Sequence, residues 1–216
     1  MIILDYDENN HKNIIRAVTL ALKHGKVVAY PTDTSYGLAV DITNKKAVDL
    51  LYKIKDRPKK QPIHLVVSSV SEAKKISVWN KYADKLAKNF WPGALSLVLP
   101  LASKSISIAQ FSGGTGTIGL RMPDNKIAMD LVKALGRPMP AVSANPAGKN
   151  AGVDSYSAQA IIDQFDKQKY KPDIIINAGR LPKRKPSTLI AISDDGNHTI
   201  LRHGPITETK IKKTLN

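Results

Sequence analysis

The sequence predicts an α/β protein with a single twisted, mixed β-sheet and flanking helices. Three observations predict this class. Short apolar runs rich in β-branched residues alternate with stretches of helical periodicity, the alternation is irregular, and an Asp195-Gly196 hairpin signal lies near the end of the chain. A hairpin requires an antiparallel pair, whereas strands joined through helices can pair in parallel, so the sheet should contain both. No internal repeat or linker is visible, which predicts a single domain over residues 1–216.

The first half of the chain alternates predicted helices and strands. Apolar residues at helical spacing predict one helix that stops at Gly25 and a second that ends at a basic loop before Pro58, since the residue preceding a proline disfavours helix. Ser69 and Glu72 form a capping box that opens a third helix. A fourth helix spans residues 81–90. The strands predicted in this half are residues 27–31, 63–67 and 95–99.

In the second half, Asp124 is the predicted cap of a helix that stops at Gly136. Residues 102–116, which are rich in Ser and Gly, and residues 146–156 are predicted to be flexible loops. The other predicted elements are strands over 117–122, 140–144, 174–177, 188–192 and 199–202 and helices over 157–165 and 206–214.

The charge balance points to a polyanionic partner. The chain has 33 Lys and Arg against 18 Asp and Glu, a net charge of +15. Such a field attracts nucleotides or RNA, although solubility alone is an alternative explanation. The cations cluster, which favours a partner, in residues 53–60, 81–88, 183–185 and 210–213. We expect a cytoplasmic location and no membrane partner, because no apolar run approaches the roughly 18–20 residues that span a bilayer and the N-terminus does not resemble a signal peptide.

Several classes of active site are excluded. Without cysteine there is no thiolate nucleophile, disulfide or cysteine-based zinc site. The Gly114–Gly119 stretch matches G-x-G-x-x-G, but a predicted loop precedes it and a predicted strand follows, which is the wrong context for a dinucleotide site. The sequence has neither a P-loop nor a G-x-S-x-G elbow. Sparse acidic residues argue against a carboxylate dyad or a two-metal site, and we predict no metal-ligating residues.

Polar and cationic residues follow several predicted strands and helices, and strand ends are where ligand sites of α/β proteins form. Thr32 and Thr34 follow the first of these strands, although Thr-Asp-Thr also suits a simple turn. Lys55, Arg57 and Lys59 alternate in a segment predicted to be extended, which would point all three at one phosphate chain. The alternative is a solvated basic loop.

Arg121 differs from the other candidates because it interrupts an apolar strand. If it faces inward it needs an anion, and a ligand carboxylate suits its bidentate geometry. Ser143 and Asn145 lie on one side of a strand end, and Arg202 ends the last strand. His64 opens another strand, where a packed, hydrogen-bonded side chain is the alternative to a ligand role.

From about Val27 to Pro205 the chain resembles the YrdC-type family of L-threonylcarbamoyladenylate synthases. The motifs that carry the resemblance occur in the family's order: Pro31–Leu38, Lys55-x-Arg57, Pro62–His64, Trp91–Gly93, Gly119–Pro123, Ser143–Asn145, Pro186–Thr188 and Leu201-Arg202. The resemblance implies a YrdC/RibB-like fold with a concave basic face.

The resemblance also implies a reaction. L-threonine, bicarbonate (or carbon dioxide) and ATP with Mg²⁺ would give threonylcarbamoyl-AMP and pyrophosphate. The product would serve a tRNA threonylcarbamoyl-transferase complex, and tRNA itself is a further candidate partner. The chain is expected to lack the additional C-terminal domain of the longer family branch.

Individual roles follow from the same resemblance. Lys55 and Arg57 would be catalytic. The ATP-binding residues would be Lys55, Lys59, Thr117, Ser143, Asn145 and Arg202, and the threonine-binding residues would be Thr32, His64, Arg121, Ala141 and Ser187. Departures from the family pattern are Pro146-Ala147-Gly148 in place of a Ser-Gly pair, Ala151 in place of a polar contact, and His203 in place of a common proline.

Two other functions stay open. A non-catalytic module that binds double-stranded RNA or tRNA could use the same basic face, and a carbamoyltransferase-associated domain would normally lie within a much larger chain. Arg121, Ser143 and Thr32 favour the synthase, because an RNA-binding surface has no need of a carboxylate-binding arginine inside an apolar strand.

Overall fold

A computed structural model gives the fold and describes residues 1–102, 105–147 and 155–216. In chain order the strands are β1 (Ile2–Asp5), β2 (Val28–Tyr30), β3 (Gly37–Ala39), β4 (Leu65–Val66), β5 (Leu95–Pro100), β6 (Thr117–Arg121), β7 (Met139–Pro140), β8 (Val142–Ser143), β9 (Ile174–Asn177), β10 (Thr188–Ile192) and β11 (His198–Arg202). The helices are α1 (His11–Lys23), α2 (Lys45–Lys55), α3 (Val70–Ile76), α4 (Lys81–Phe90), α5 (Ile106–Ala109), α6 (Lys126–Leu135), α7 (Ala158–Phe165) and α8 (Glu208–Leu215).

The strands form two mixed sheets. The first sheet has the order β1-β9-β2-β3-β8, and the second has the order β11-β10-β5-β6-β4-β7. Both contain parallel and antiparallel pairs, and β10 and β11 form the hairpin that Asp195-Gly196 indicated. The α/β class and the mixed pairing are therefore confirmed, and the strands are divided between two mixed sheets.

The chain passes from one sheet to the other between Met139 and Ser143, a segment we call the crossing segment. Here β7 pairs with β4 of the second sheet, and β8 pairs with β3 of the first. The sequence predicted one strand over 140–144. Pro140 has no N–H to extend a ladder, and the Ala141 amide instead bonds the His64 carbonyl at 2.7 Å, so two short strands replace one.

Helices α1 and α6 pack together against one face of the first sheet. Their buried residues include Val18, Leu22 and Leu131, which contact a cluster that also holds Val28 and Ile176. A larger cluster contains residues of both sheets and of α2, α4, α7 and α8. The apolar helix faces predicted from spacing are thus the faces that supply the core.

Local signals set most element boundaries. Gly136 ends α6 in the left-handed conformation, as predicted, but the cap at its start is Asn125, whose side chain accepts from the Ala128 amide, and not Asp124. Ser69 caps α3 by accepting from the Glu72 amide. The Glu72 carboxylate reaches back to Ser68, one residue earlier than a capping box requires.

The loop predicted over 102–116 is partly helical. After Ser105 the chain forms α5 and a 3₁₀ turn over Gln110–Ser112, and this turn buries Phe111 completely. Composition suggested flexibility, but the single aromatic side chain anchors the segment in the core.

Residues 103–104 and 148–154 lie outside the described residues. Gly148, Ala151 and most of the loop predicted over 146–156 belong to this part of the chain. Within the described ranges, no helix has the length and apolar character that crossing a bilayer requires.

Candidate functional site

A cleft of about 400 Å³ opens where the ends of strands from both sheets meet. It collects most of the residues singled out from the sequence: Thr32, Arg57, His64, Arg121, Ala141, Ser143, Asn145, Ser187 and Arg202. Thr34 lines it as well. Lys55, Lys59 and Thr117 are not among the residues that line it.

The turn after β2 is held by the Thr32 hydroxyl. This hydroxyl donates to the Ser35 carbonyl at 2.6 Å and accepts from the Thr34 and Ser35 amides at 3.1 and 3.3 Å. Both sequence interpretations of Thr32 therefore apply: it builds a turn, and it lines the cleft. The turn fixes the direction in which the neighbouring Asp33 and Thr34 point.

Arg121 ends β6 with a side chain only 8% exposed, and it forms an ion pair with Asp33. Its Nη2 donates to the Asp33 carboxylate at 2.6 Å and its Nη1 to the Thr34 hydroxyl at 3.2 Å. The inward-facing arginine does need an anion, and the protein supplies one. Sequence reasoning proposed only a ligand carboxylate and missed Asp33, although its position between Thr32 and Thr34 was the available signal.

Lys55 occupies the last position of α2 and is only 2% exposed. Its ammonium donates to the Ser143 carbonyl at 2.7 Å and to the Asn145 carbonyl, which ties the helix end to the strand end behind the cleft. Burial, together with the nearby Arg57 guanidinium, lowers the pKa of Lys55 to about 7.

The predicted extended alternation of Lys55, Arg57 and Lys59 is wrong. Lys55 is helical and Asp56 adopts a left-handed conformation with φ of 48°, so the chain turns sharply between the cations. Arg57 donates to the Pro62 carbonyl at 2.7 Å and reaches the cleft, whereas Lys59 pairs with Asp49 on the exposed surface. The three side chains do not share one direction.

His64 is a neutral imidazole in the cleft wall. Burial lowers the pKa of His64 to about 3, with further contributions from the positive charges of Arg202, Arg121 and Arg57. Its ring fits against β6 because position 119 is glycine: a Cβ at Gly119 would collide with the imidazole. A neutral ring can donate one hydrogen bond and accept another without adding charge.

Ser187 and Arg202 form another part of the cleft wall. Arg202 donates from Nε to the Ser187 carbonyl and from Nη2 to the Ser187 hydroxyl, both at 3.0 Å. The same hydroxyl lies 2.8 Å from that of Ser96, a fully buried residue of β5 that also lines the cleft. Ser187 is thereby fixed in orientation.

Thr117, a predicted ATP contact, lies at the start of β6 and outside the cleft lining. Its hydroxyl is 2.9 Å from that of Thr115.

The charge of the cleft is strongly one-sided. Four arginines line it, namely Arg57, Arg121, Arg184 and Arg202, and no Asp or Glu is among the lining residues that the structure describes. Among the residues that the structure describes, Asp33 is the one carboxylate that pairs with a lining guanidinium, and it is bound to Arg121. Such a cleft favours an anionic ligand.

The fold and the site define an α/β protein with two mixed sheets and a cleft whose arginines suit an anionic ligand. The Sua5/YciO/YrdC family model, described as "Telomere recombination", matches residues 20–204. The chain belongs to this family.

Relatives and solved structures agree with this assignment. The chain is 31% identical over 214 residues to a threonylcarbamoyl-AMP synthase of Bacillus subtilis, with 99% of this chain and 59% of that protein covered. A crystal structure of Pyrococcus abyssi Sua5 complexed with L-threonine superposes with a TM-score of 0.88 at 31% identity, covering 99% of this chain and 61% of that one. Escherichia coli YciO gives a TM-score of 0.79 at 29% identity and covers 94% and 95%.

The chain thus spans about three-fifths of the length of the first two of these proteins.

Proposed function

We propose that the protein is an L-threonylcarbamoyladenylate synthase, which joins L-threonine, bicarbonate or carbon dioxide, and ATP into threonylcarbamoyl-AMP and pyrophosphate. One observation carries the proposal: a buried guanidinium, that of Arg121, lines the same cleft as Arg57, Arg202 and Ser143. An amino acid and a polyphosphate each need a fixed positive group, and this cleft offers several in separate walls.

The threonine would lie at the Arg121 end. Its carboxylate would contact Arg121, while Thr32, neutral His64, Ser187 and the Ala141 backbone offer hydrogen-bonding groups for its amine and hydroxyl. The P. abyssi relative crystallised with L-threonine supports an amino-acid site in this fold. Three of these residues are less than a tenth exposed, so the end is partly shielded from water.

The nucleotide would lie beside the threonine, along the wall formed by Arg57, Ser143, Asn145 and Arg202, the last of which bonds Ser187. Lys55 is the predicted catalytic residue that stands behind this wall, with its ammonium on the carbonyls of Ser143 and Asn145. To reach a phosphate it must release those carbonyls, and the phosphate charge would then favour its protonated form. Lys59 and Thr117 do not line the cleft, and as proposed ATP contacts they would have to be approached by a nucleotide that extends beyond it.

The chemistry would require positioning more than proton transfer. The threonine amine adds to carbon dioxide to form a carbamate, with its proton released to water. A carbamate oxygen then attacks the α-phosphorus, and the bond to the β-phosphate oxygen breaks to release pyrophosphate. Fixed cations hold the reacting groups together and stabilise charge on the phosphoryl oxygens. No residue in the cleft is assigned as a general base.

Magnesium has no evident protein site. The described residues contain no group of three or more His, Asp or Glu side chains that could hold a metal ion, and the cleft lining lacks carboxylates. Mg²⁺ would therefore enter with ATP. The product would pass to a tRNA threonylcarbamoyl-transferase complex, with tRNA as a further candidate partner.

A pyrophosphate-release assay tests the proposal. Release from ATP should require both L-threonine and bicarbonate, and other amino acids should give little. Arg121→Ala should weaken threonine binding about tenfold or more with a smaller effect on ATP, and Lys55→Ala should do the reverse, because each removes one charge-assisted contact. Calorimetry with each ligand separates the two. Release that is indifferent to threonine, or equal losses of both ligands in both variants, would contradict the proposal.

A further inference from the structure

One cleft-lining arginine has no role in the proposed reaction. Residues 180–186, which we call the basic strap, connect β9 to β10 without regular structure. The strap carries Arg180, Lys183, Arg184 and Lys185 and no acidic residue. Of these four cations, Arg184 is the one that lines the cleft.

The guanidinium of Arg184 is held less firmly than those of Arg121 and Arg202, and its one bond is longer than the 2.7 Å bond from Arg57 to the Pro62 carbonyl. Arg121 is held by Asp33 and Thr34, and Arg202 makes two bonds of 3.0 Å to Ser187. Arg184 makes one long bond, from Nη1 to the Asp33 carbonyl at 3.4 Å. No carboxylate in the described ranges forms an ion pair with Arg184. The carboxylate of Asp33, whose carbonyl Arg184 contacts, is bound to Arg121.

The backbone of the strap is nevertheless fixed beside the cleft. The Tyr156 hydroxyl donates to the Arg184 carbonyl at 3.1 Å, and the Leu181 amide donates to the Tyr156 carbonyl at 2.7 Å. Arg184 is exposed while its main chain is held. The guanidinium therefore has freedom to turn, but only within a short distance of the cleft.

The position of Arg184 indicates which part of a ligand it meets. Arg121 is only 7% exposed, whereas Arg184, which lines the same cleft and bonds the Asp33 carbonyl, has an exposed side chain. A ligand whose carboxylate lies at Arg121 has its bulk directed outward, and the highly charged part of an ATP-dependent reaction is the polyphosphate. A planar guanidinium with free donors suits phosphate oxygens.

We propose that Arg184 is a further ligand-binding residue, whose guanidinium contacts the phosphate groups of a nucleotide bound in the cleft. The identity of the nucleotide rests on the proposed function. The contact itself rests on the placement of Arg184 in the cleft, its one long hydrogen bond, and the lack of carboxylates among the lining residues that the structure describes.

Calorimetry on the whole protein tests the inference with three probes: ATP, inorganic pyrophosphate and L-threonine. Arg184→Ala should weaken ATP and pyrophosphate binding about tenfold, as expected for the loss of one charge-assisted hydrogen bond, and leave threonine binding unchanged. Arg184→Lys keeps the positive charge but loses the paired N–H donors of the guanidinium, so its phosphate affinity should lie between those of the wild type and Arg184→Ala. Lys183→Ala is the matched control: it removes the same charge from the same strap at a residue that does not line the cleft, and should change binding less than twofold.

Equal losses of phosphate affinity in Arg184→Ala and Lys183→Ala would mean that only the overall positive charge of the strap matters. That result would overturn the inference. So would an equal loss of threonine binding, or a wild-type protein that binds neither phosphate probe. Thermal melts verify that the variants fold. If phosphate binding depends on Arg184 while pyrophosphate release proves indifferent to threonine, the proposed function fails and the inference stands.

Discussion

Asp33 and Arg121 form a buried ion pair whose main contribution is orientation. Their side chains are 5% and 8% exposed, so each has lost most of its hydration, and the mutual attraction offsets that cost without a large surplus. What the pair does provide is direction. With Nη2 on Asp33 and Nη1 on Thr34, the guanidinium plane is fixed before any ligand arrives.

Substitution of Asp33 should separate orientation from charge. Asp33→Ala removes the acceptor, leaves a buried guanidinium unpaired, and should cost roughly 3–5 kcal/mol of stability and at least about tenfold in threonine affinity. Asp33→Asn retains an acceptor oxygen for Nη2 and should recover most of the affinity. Calorimetry below the melting temperature of both variants measures this. If Asn loses as much affinity as Ala, charge rather than orientation is what Asp33 supplies.

The sequence predicted those site residues that are polar or charged and that end a strand, as Arg121, Ser143 and Arg202 do. The site was not foreseeable where the partner lies far away in sequence. No sequence pattern near Lys55 predicts that its ammonium bonds the carbonyls of Ser143 and Asn145, which lie 88 and 90 residues later in the chain. Lys59 has the right charge and spacing for the phosphate hypothesis, but the left-handed turn at Asp56 directs it to Asp49.

At the scale of elements, the contact between β6 and His64 depends on a missing side chain. Gly119 lies in β6 opposite Val98 of β5, and its Cα faces the imidazole that precedes β4. A glycine in a strand interior often marks such a close approach. The G-x-G-x-x-G match at Gly114–Gly119 therefore has a packing explanation at its last position, not a dinucleotide one.

Gly119→Ala should displace the His64 ring. We expect a destabilisation of about 1–3 kcal/mol from overpacking and a weaker threonine affinity, because the ring leaves its place in the cleft wall. Denaturant unfolding and calorimetry measure the two effects. The double variant Gly119→Ala, His64→Ala should regain much of the stability, since the collision partner is gone. A single variant that binds threonine like the wild type would contradict this account.

Helices were easier to predict than strands. The α6 pattern has a cap, an apolar face and a glycine stop, so its span differs from expectation by a residue or two. The strand predicted over 140–144 failed because apolar composition does not reveal which neighbour a strand pairs with. β3 was not predicted, because three residues directly after a turn carry no periodicity.

For the whole molecule, the class and the mixed pairing followed from the order of elements, but the division into two sheets did not. That division is a property of the crossing segment and of long-range pairing. Its functional result is that the cleft takes residues from both sheets: Thr34 and Ser143 flank the first, and Arg121 and Leu189 belong to the second.

Ligand binding should therefore protect both sheets together. At a ligand concentration 100 times its dissociation constant, the folded state gains about 2.7 kcal/mol, so amides that exchange by global unfolding should slow about a hundredfold. Hydrogen exchange with threonine and ATP present should show comparable slowing at Leu38 in β3 and Leu120 in β6. Slowing confined to one sheet would show that the two open independently.

The crossing segment also sets a limit on how the protein could be divided. Within five residues, Met139 to Ser143, the main chain leaves one sheet, supplies the Ala141 backbone to the cleft and enters the other sheet. New termini introduced at the Asp195-Gly196 turn would break only a surface connection. A cut at Ala141 would instead interrupt backbone that itself lines the cleft, and each fragment would carry only part of the site.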